Sequence, residues 1–366
     1  MIPTIRDVAR KAGVSVASVS KVINNRPQVS VETRSRVLAA IEELGYAPNQ
    51  NARELVEGQT RTVGLLLPTL ENPIFAQAAK GVETAAARHG YQVILGDFDE
   101  DLTKEACLLE MLRSRRVEGT ISVGFRRGNE RHDVGYHALV AAGTPVVFLM
   151  GQVEEKDFYS IFVDEEEAGY LAACYLLGLG HRRLVYLAGP ATAIQTRQKI
   201  KGIARAHQER HLELKPEAIV HSDYHLPGGA KAARAIYARA DRPTAVFAFN
   251  DLMAIGAIKS AREMGLRVPD DISIMGFDGI DWTAYYEPAL TTLRQPARQM
   301  GQAAFDLILK IIKGERPTKR RYPFHAELVE GGSTRPLTAG APVQGEVPSP
   351  DAAQAPTHPP SPSTKL

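Results

Sequence analysis

Apolar positions recur at two different spacings along this chain, and the change falls near residue 62. Before it, Ile5, Val8 and Ala9 mark one face of a short helix, and Val19, Val22 and Ile23 mark one face of a second. Gly13 lies between them, where a tight turn needs a residue free to take positive φ. Ser15 stands where its hydroxyl can accept a bond from a free N–H of the second helix. Ser30-Val-Glu-Thr-Arg predicts a third helix start, with Val37, Leu38, Ile41 and Leu44 at helical spacing and Gly45 as its stop. Tyr46-Ala-Pro-Asn is a break. The segment Gln50-Asn-Ala-Arg-Glu-Leu-Val-Glu, ended by Gly58, is weakly amphipathic and too short to hold a helix alone in water.

From Thr62 onward strand-like runs alternate with helical ones. Strands are predicted at 63–67, 91–95, 119–123, 146–149, 184–188, near 219, at 245–249 and at 273–276. Helices are predicted at 74–88, 103–115, 132–142, 164–179, 194–209, 228–240 and 252–264. Alternating βαβ units imply parallel sheets with helices on both faces, here as two doubly wound halves. Ligands of such sheets lie at the carboxyl ends of the strands, so two facing halves would form an interdomain cleft. Residues 336–366 are rich in Pro, Ala, Ser and Gly and should be disordered.

Charge matters through its distribution. The 44 Lys and Arg nearly balance the 42 Asp and Glu, so bulk charge does not announce a nucleic-acid binder. Yet Arg6, Arg10, Lys11, Lys21, Arg26, Arg34 and Arg36 crowd the first segment, against only Asp7 and Glu32. That suffices for phosphate contacts, although a solvated charged face would read the same way. Helix, glycine turn, helix is the outline of a helix-turn-helix, whose second helix enters a DNA major groove. The two cysteines, Cys107 and Cys174, define no disulfide framework and read as buried apolar residues. No apolar run reaches membrane-span length, and no secretory leader precedes the helical motif, so a cytoplasmic location is expected.

Several motifs together resemble the lactose/galactose repressor family. They are Thr4-Ile-Arg-Asp-Val-Ala, Ala12-Gly-Val-Ser, Val19-Ser-Lys-Val-Ile-Asn, Val37-Leu-Ala-Ala-Ile-Glu-Glu-Leu-Gly-Tyr-Ala-Pro-Asn and Asn72-Pro-Ile-Phe. Leu179-Gly-His-Arg-Arg, Phe249-Asn-Asp-Leu-Met-Ala-Ile-Gly-Ala, Val268-Pro-Asp-Asp-Ile-Ser and Leu290-Thr-Thr-Leu-Arg-Gln continue the series in the same order. The resemblance implies a small all-α headpiece at 1–48 and a hinge helix at 49–60. It implies an α/β core at 61–335 like periplasmic sugar-binding proteins. One subdomain would take 61–160 and 293–316, the other 161–290 and 318–335. It also implies a dimer on a palindromic operator, controlled by a small-molecule effector in the cleft.

Family positions map onto this chain residue by residue. Val16, Ala17 and Lys21 match the base readers: the apolar pair suits thymine methyls and the lysine suits guanine acceptors. Val16 could instead pack internally. Thr4, Ser15, Ser18, Ser20 and Asn24 suit phosphates or capping, and Asn49, Ala52 and Leu55 match the hinge contacts. Leu55 would wedge into the central base step and kink the duplex; its ordinary alternative is packing on the core. Asn72 and Phe75 would line the first half of the cleft. Arg197, Lys199, Tyr224, Asn250 and Asp278 would line the second, with Gln295 near the crossover. Amides, a carboxylate and aromatic rings suit a sugar. Lys199 replaces the usual arginine, Met150 a usual polar residue, and Asp278-Gly279 a usual Asp-Asp pair, which leaves an apolar-lined or phosphorylated ligand open. Asn250 and Asp278 could equally be strand-end caps.

No catalytic constellation and no cofactor motif is found. His207 and His211 stand four apart, but a solvated helix face explains them better than a metal. The competing class is a soluble sugar-binding receptor or α/β enzyme with an incidental basic N-terminus; the headpiece is what separates the two.

Overall fold

The computed structural model describes residues 3–23, 26–46, 59–124, 133–153 and 158–337. The first segment folds as three helices, α1 (Ile5–Ala12), α2 (Val16–Ile23) and α3 (Val31–Leu44). Val8, Ala9, Ala12, Val19, Val22, Val37 and Ala40 form their shared core. The helices are too short to persist alone, so this apolar contact is what holds them. Gly13 has φ +62° and Gly45 φ +60°, the left-handed values that end α1 and α3. The Ser30 hydroxyl accepts from Thr33 N at 3.2 Å and starts α3.

The chain divides into two units, residues 1–162 with 297–323, and residues 163–296 with 324–366. In the first unit β1 (Thr62–Leu67), β2 (Gln92–Asp97), β3 (Gly119–Val123), β4 (Val146–Leu149), β5 (Tyr159–Val163) and β11 (Arg321–Phe324) form one sheet in the order β11-β5-β4-β3-β1-β2. Leu65 pairs in register with Leu95 on one side and Ile121 on the other. The pairings among β1 to β5 are parallel. Ser160 N donates to Arg320 O and Asp164 N to Phe324 O, a constant offset that sets β11 parallel as well. All amino ends of this sheet therefore lie on one edge and all carboxyl ends on the other. Around it lie α4 (Pro73–Arg88), α5 (Leu102–Ser114), α6 (Asp133–Ala141) and α11 (Ala297–Ile312).

In the second unit β6 (Leu184–Ala188), β7 (Ile219–His221), β8 (Ala245–Ala248), β9 (Ser273–Asp278), β10 (Thr291–Arg294) and β12 (Glu327–Val329) run in the order β12-β10-β9-β8-β6-β7. All pairings are parallel except that of β12 with β10. Its helices are α7 (Glu165–Gly178), α8 (Ile194–Gln208), α9 (Leu226–Tyr237) and α10 (Asp251–Glu263). Strands such as β6 and β8 are buried along their whole length, as expected where helices cover both faces. Helices α7 and α8 touch backbone to backbone. A Cβ on Gly202 would stand 1.8 Å from Glu166 O, and one on Gly169 would stand 2.2 Å from Lys199 O.

Several expectations need correcting. Residues 293–294 lie in β10, in the second unit, and 318–323 join the first through β11, the reverse of the expected division. The division follows the backbone ladders, which local patterning does not reveal. Strand β5 adds to the predicted strands; it ends just before Asp164, whose side chain accepts from Glu167 N at 3.0 Å and starts α7. Leu337 N donates to Leu179 O at 2.8 Å, so residues 336–337 belong to the fold; the remainder of the expected tail, 338–366, lies outside the described residues. Cys107 is exposed and Cys174 half-buried. His207 is buried and bonds the Tyr186 hydroxyl at 2.7 Å, so it faces the core rather than solvent.

His181 anchors the segment after β12. Its ring nitrogens meet Thr244 Oγ1 at 2.9 Å and Arg335 O at 3.1 Å. Burial holds its pKa below the usual histidine value. The unfolded chain therefore binds this proton more readily, and stability from this site is present above about pH 6.5 and lost as pH falls below it. Between about pH 7.5 and 5.5 the melting temperature of the wild type should fall more steeply than that of His181→Gln. Equal slopes would remove His181 as the cause.

Candidate functional site

The headpiece presents α2 outward. Val16, Ala17 and Lys21 are exposed, with Val16 at 42%, while Val19 and Val22 are buried on the opposite side. Val16 is thus not a core residue. Ser15 Oγ accepts from Ser18 N at 3.1 Å and lies 2.9 Å from Ser18 Oγ, so this pair caps α2. Ser20 is half-buried on the same helix. Thr4 donates from its hydroxyl at 2.7 Å and from its N–H at 3.0 Å to Asp7, and these bonds hold the Asp7 carboxyl below its usual pKa. Asn24, Asn49, Ala52 and Leu55 lie outside the described residues.

The basic crowd divides by role. Arg36 donates to Ala12 O and Gly13 O, clamping the turn between α1 and α2. Arg10 pairs with Asp7, Lys11 with Glu43, and Arg34 donates to Arg26 O. Arg6, Lys21 and Arg26 are exposed and make no ion pair among the described residues. The open surface therefore carries three cations, two small apolar contacts and several hydroxyls, the set that phosphate positioning and base-edge reading require.

The carboxyl-end edge of each sheet holds the other predicted residues. In the first unit Asn72 caps α4, accepting from Ile74 N at 3.2 Å, and Phe75 is buried one turn on. In the second unit Asp278 ends β9, Tyr224 and Asn250 follow β7 and β8, and Arg197 lies in the first turn of α8, after β6. Arg197 is exposed and donates to Thr192 O at 2.7 Å. The Tyr224 hydroxyl lies 2.7 Å from Thr196 Oγ1, and burial raises its pKa. Asn250 uses both ends of its amide: Oδ1 accepts from Met253 N at 2.8 Å and Nδ2 donates to Tyr224 O at 2.7 Å. Its capping role is real, and it fixes where Tyr224 stands. Gln295 Nε2 donates to Asp278 Oδ1 at 2.7 Å. Asp278 holds φ +122°, an unfavourable value for a side-chain-bearing residue.

Lys199 is a correction. It is 2% exposed, pairs with Glu165, and places its ammonium 3.8 Å above the Phe277 ring. Burial pushes the Glu165 carboxyl up, and the Lys199 charge offsets part of that. Lys199 therefore supports the site from inside the fold. The expectation failed because spacing places a residue on a helix turn but does not reveal that a buried carboxylate waits opposite.

Two residues went unforeseen. Asp251 is fully buried; Oδ2 accepts from Ile280 N at 2.9 Å and Oδ1 from Thr292 Oγ1 at 2.6 Å. A Cβ on Gly276 would meet Asp251 Oδ1 at 2.3 Å, so the glycine makes room for this carboxyl against β9. Burial, then the charge of Asp278, raises its pKa well above the carboxylate range. In sequence it reads as an ordinary acid in a first helical turn. Gln195 is 3% exposed, and its Oε1 has no hydrogen-bond partner. No sequence signal marks it.

Among the described residues no group of three or more His, Cys, Asp or Glu side chains could hold a metal. No described helix is long and apolar enough to cross a membrane.

A helix-turn-helix with an open recognition helix, carried by two α/β units, defines a DNA-binding transcriptional regulator. Residues 4–49 match the model of bacterial regulatory proteins of the lacI family, and 173–334 match a periplasmic binding protein-like domain. The chain is 36% identical over 334 residues to the HTH-type transcriptional repressor PurR of Aliivibrio fischeri (strain MJ11), covering 90% of this chain and 98% of that one. Among solved structures it resembles a lac repressor dimer bound to operator and the anti-inducer ONPF, with TM-score 0.82, 28% identity and coverage of 92% and 100%. It also resembles the regulator CelR in complex with cellobiose, with TM-score 0.69, 30% identity and coverage of 90% and 99%. The chain belongs to the lacI family and is a DNA-binding transcriptional repressor. The relatives named are transcriptional regulators, which sets aside the enzyme alternative.

Proposed function

We propose that this repressor works as a homodimer in the cytoplasm, each headpiece reading one half of a palindromic operator, and that a small sugar or sugar derivative controls it. The effector would bind at the carboxyl-end edge of the second unit. The observation that carries the reading is the assembly at one sheet edge of Arg197, Tyr224 and Asp278 with the unsatisfied amide oxygen of Gln195. Carbohydrate hydroxyls need both donors and acceptors, and aromatic rings cover the apolar faces of a pyranose. The cellobiose complex of the similar regulator supports the same class.

Exposed Trp282, Tyr285 and Tyr286, close together at one short turn of the second unit, support self-association, since large apolar side chains seldom cluster on a free surface. Thermal melting of the full chain with a panel of mono- and disaccharides tests the effector class. A bound sugar raises the melting temperature by mass action. Stabilisation by a non-carbohydrate metabolite, with none from any sugar, would reject the class.

In the hinge, Leu55 from each protomer would open the central base step. Leu55→Ala should weaken operator binding about tenfold or more and reduce DNA bending, because unstacking a step is offset only by the inserted side chain. Normal bending by that variant, seen in circular-permutation gel shifts, would remove the wedge.

A further inference from the structure

The amino edge of the first unit's sheet carries a charge that DNA reading by the headpiece does not use. Connectors entering β2, β3 and β11 contribute Arg88, Arg115, Arg116, Lys313, Arg316 and Lys319, all exposed. None has a carboxylate partner among the described residues. In these connectors the acids are Glu118 and Glu315, and Glu118 is already held by Arg61 N at 2.7 Å and by the Tyr91 hydroxyl at 2.7 Å. Arg320 lies 4.1 Å above the Tyr159 ring and Arg321 lies 5.3 Å above Phe162, which fixes the start of β11. At the opposite edge Asp97, Asp99, Glu100 and Asp101 lie around the end of β2, while the connector entering β5 carries Glu154, Glu155 and Asp157 in its sequence. In the second unit Arg267 bonds Asp270 and Asp271 and Arg335 bonds Asp270, while Arg182, Arg183 and Lys215 are exposed in the connectors entering β6 and β7.

The chain enters this unit at the basic edge. Thr62 opens β1, sixteen residues after Tyr46 closes the headpiece. A fully extended connector of that length spans at most about 55 Å, so headpiece-bound DNA is always within that reach of the edge. A row of exposed cations without a carboxylate partner among the described residues, tethered that close to a duplex, meets a polyanion at high local concentration.

We propose that the amino edge of the first unit is a second, sequence-independent DNA surface that holds phosphates flanking the operator. This rests on the operator-binding reading above. It separates two roles: the headpiece chooses the site, and the core edge adds affinity that depends on salt and on DNA length but not on flanking sequence.

The test uses the full-length protein and a palindrome that it selects from random duplexes. Binding is compared on the minimal palindrome and on the same palindrome extended by one helical turn of unrelated sequence at each end. Wild type should prefer the extended duplex and show a steeper salt dependence on it. If Arg115, Arg316 and Lys319 of both protomers each hold a phosphate, about six in all, that preference shrinks by roughly 2,000-fold between about 50 and 200 mM salt. The variant R115Q/R316Q/K319Q should bind the minimal duplex as wild type does and lose the preference for the extended one, with unchanged melting temperature. Equal wild-type affinity and salt slope on both duplexes would overturn the proposal, as would equal loss by the variant on both. Failure of wild type to bind the minimal palindrome would instead reject the operator reading itself.

Discussion

Lys199→Ala should lose about 3–5 kcal/mol of unfolding free energy, because it strands the Glu165 carboxylate in the fold without its counter-charge. Glu165 is 9% exposed, and Lys199 is its salt-bridge partner. Burial already raises its pKa, and removing the cation raises it further. The variant's deficit should therefore shrink toward acid pH, where Glu165 accepts a proton and the uncompensated charge disappears. Adding Glu165→Gln should recover part of the loss at neutral pH for the same reason. Urea denaturation at two pH values measures both effects. If Lys199→Ala were as stable as wild type, the pair would be ornamental, and Lys199 would return to the group facing the effector.

Val19→Asp should abolish specific DNA binding while leaving the α/β units folded. Val19 has no exposed surface and sits among the small apolar residues that hold α1, α2 and α3 together. A charge there has no partner, and three short helices have no other source of stability. Specific binding typically exceeds non-specific binding by about a thousandfold or more, so affinity for a selected operator should fall by at least about that factor. Melting of the remaining fold should be nearly unchanged. Retained operator affinity in this variant would place DNA reading outside the helix-turn-helix.

The two experiments probe parts of the molecule that were legible to different degrees. The headpiece was readable because its core is local: Val8, Val19 and Val37 meet within a few tens of residues, and Gly13, Ser15, Ser30 and Gly45 mark its turns and caps. Alternation of apolar runs with amphipathic ones revealed the βαβ rhythm for the same reason. Among the ligand candidates, Tyr224, Asn250 and Asp278 do lie at strand ends of one sheet, because a residue that follows a parallel strand must lie at that edge. Lys199 was misplaced, and Asp251 and Gln195 were passed over. Lys199 and Asp251 depend on what faces the side chain across the fold, and that partner is tens of residues away; the amide oxygen of Gln195 is set apart by having no hydrogen-bond partner.

The sequence by itself determined the class of protein: a helix-turn-helix and two α/β halves, both encoded in periodicities and turn residues that act over a few positions. Tertiary structure decided which polar groups remain free. It turned Lys199 inward to Glu165, set Arg36 on the turn between α1 and α2, seated Asp251 in the space left by Gly276, and left the amino-edge cations of the first unit without carboxylate partners among the described residues. The reason is physical. A hydrogen bond or ion pair needs two groups at contact distance, and in a parallel sheet those two groups come from strands and helices far apart in the chain.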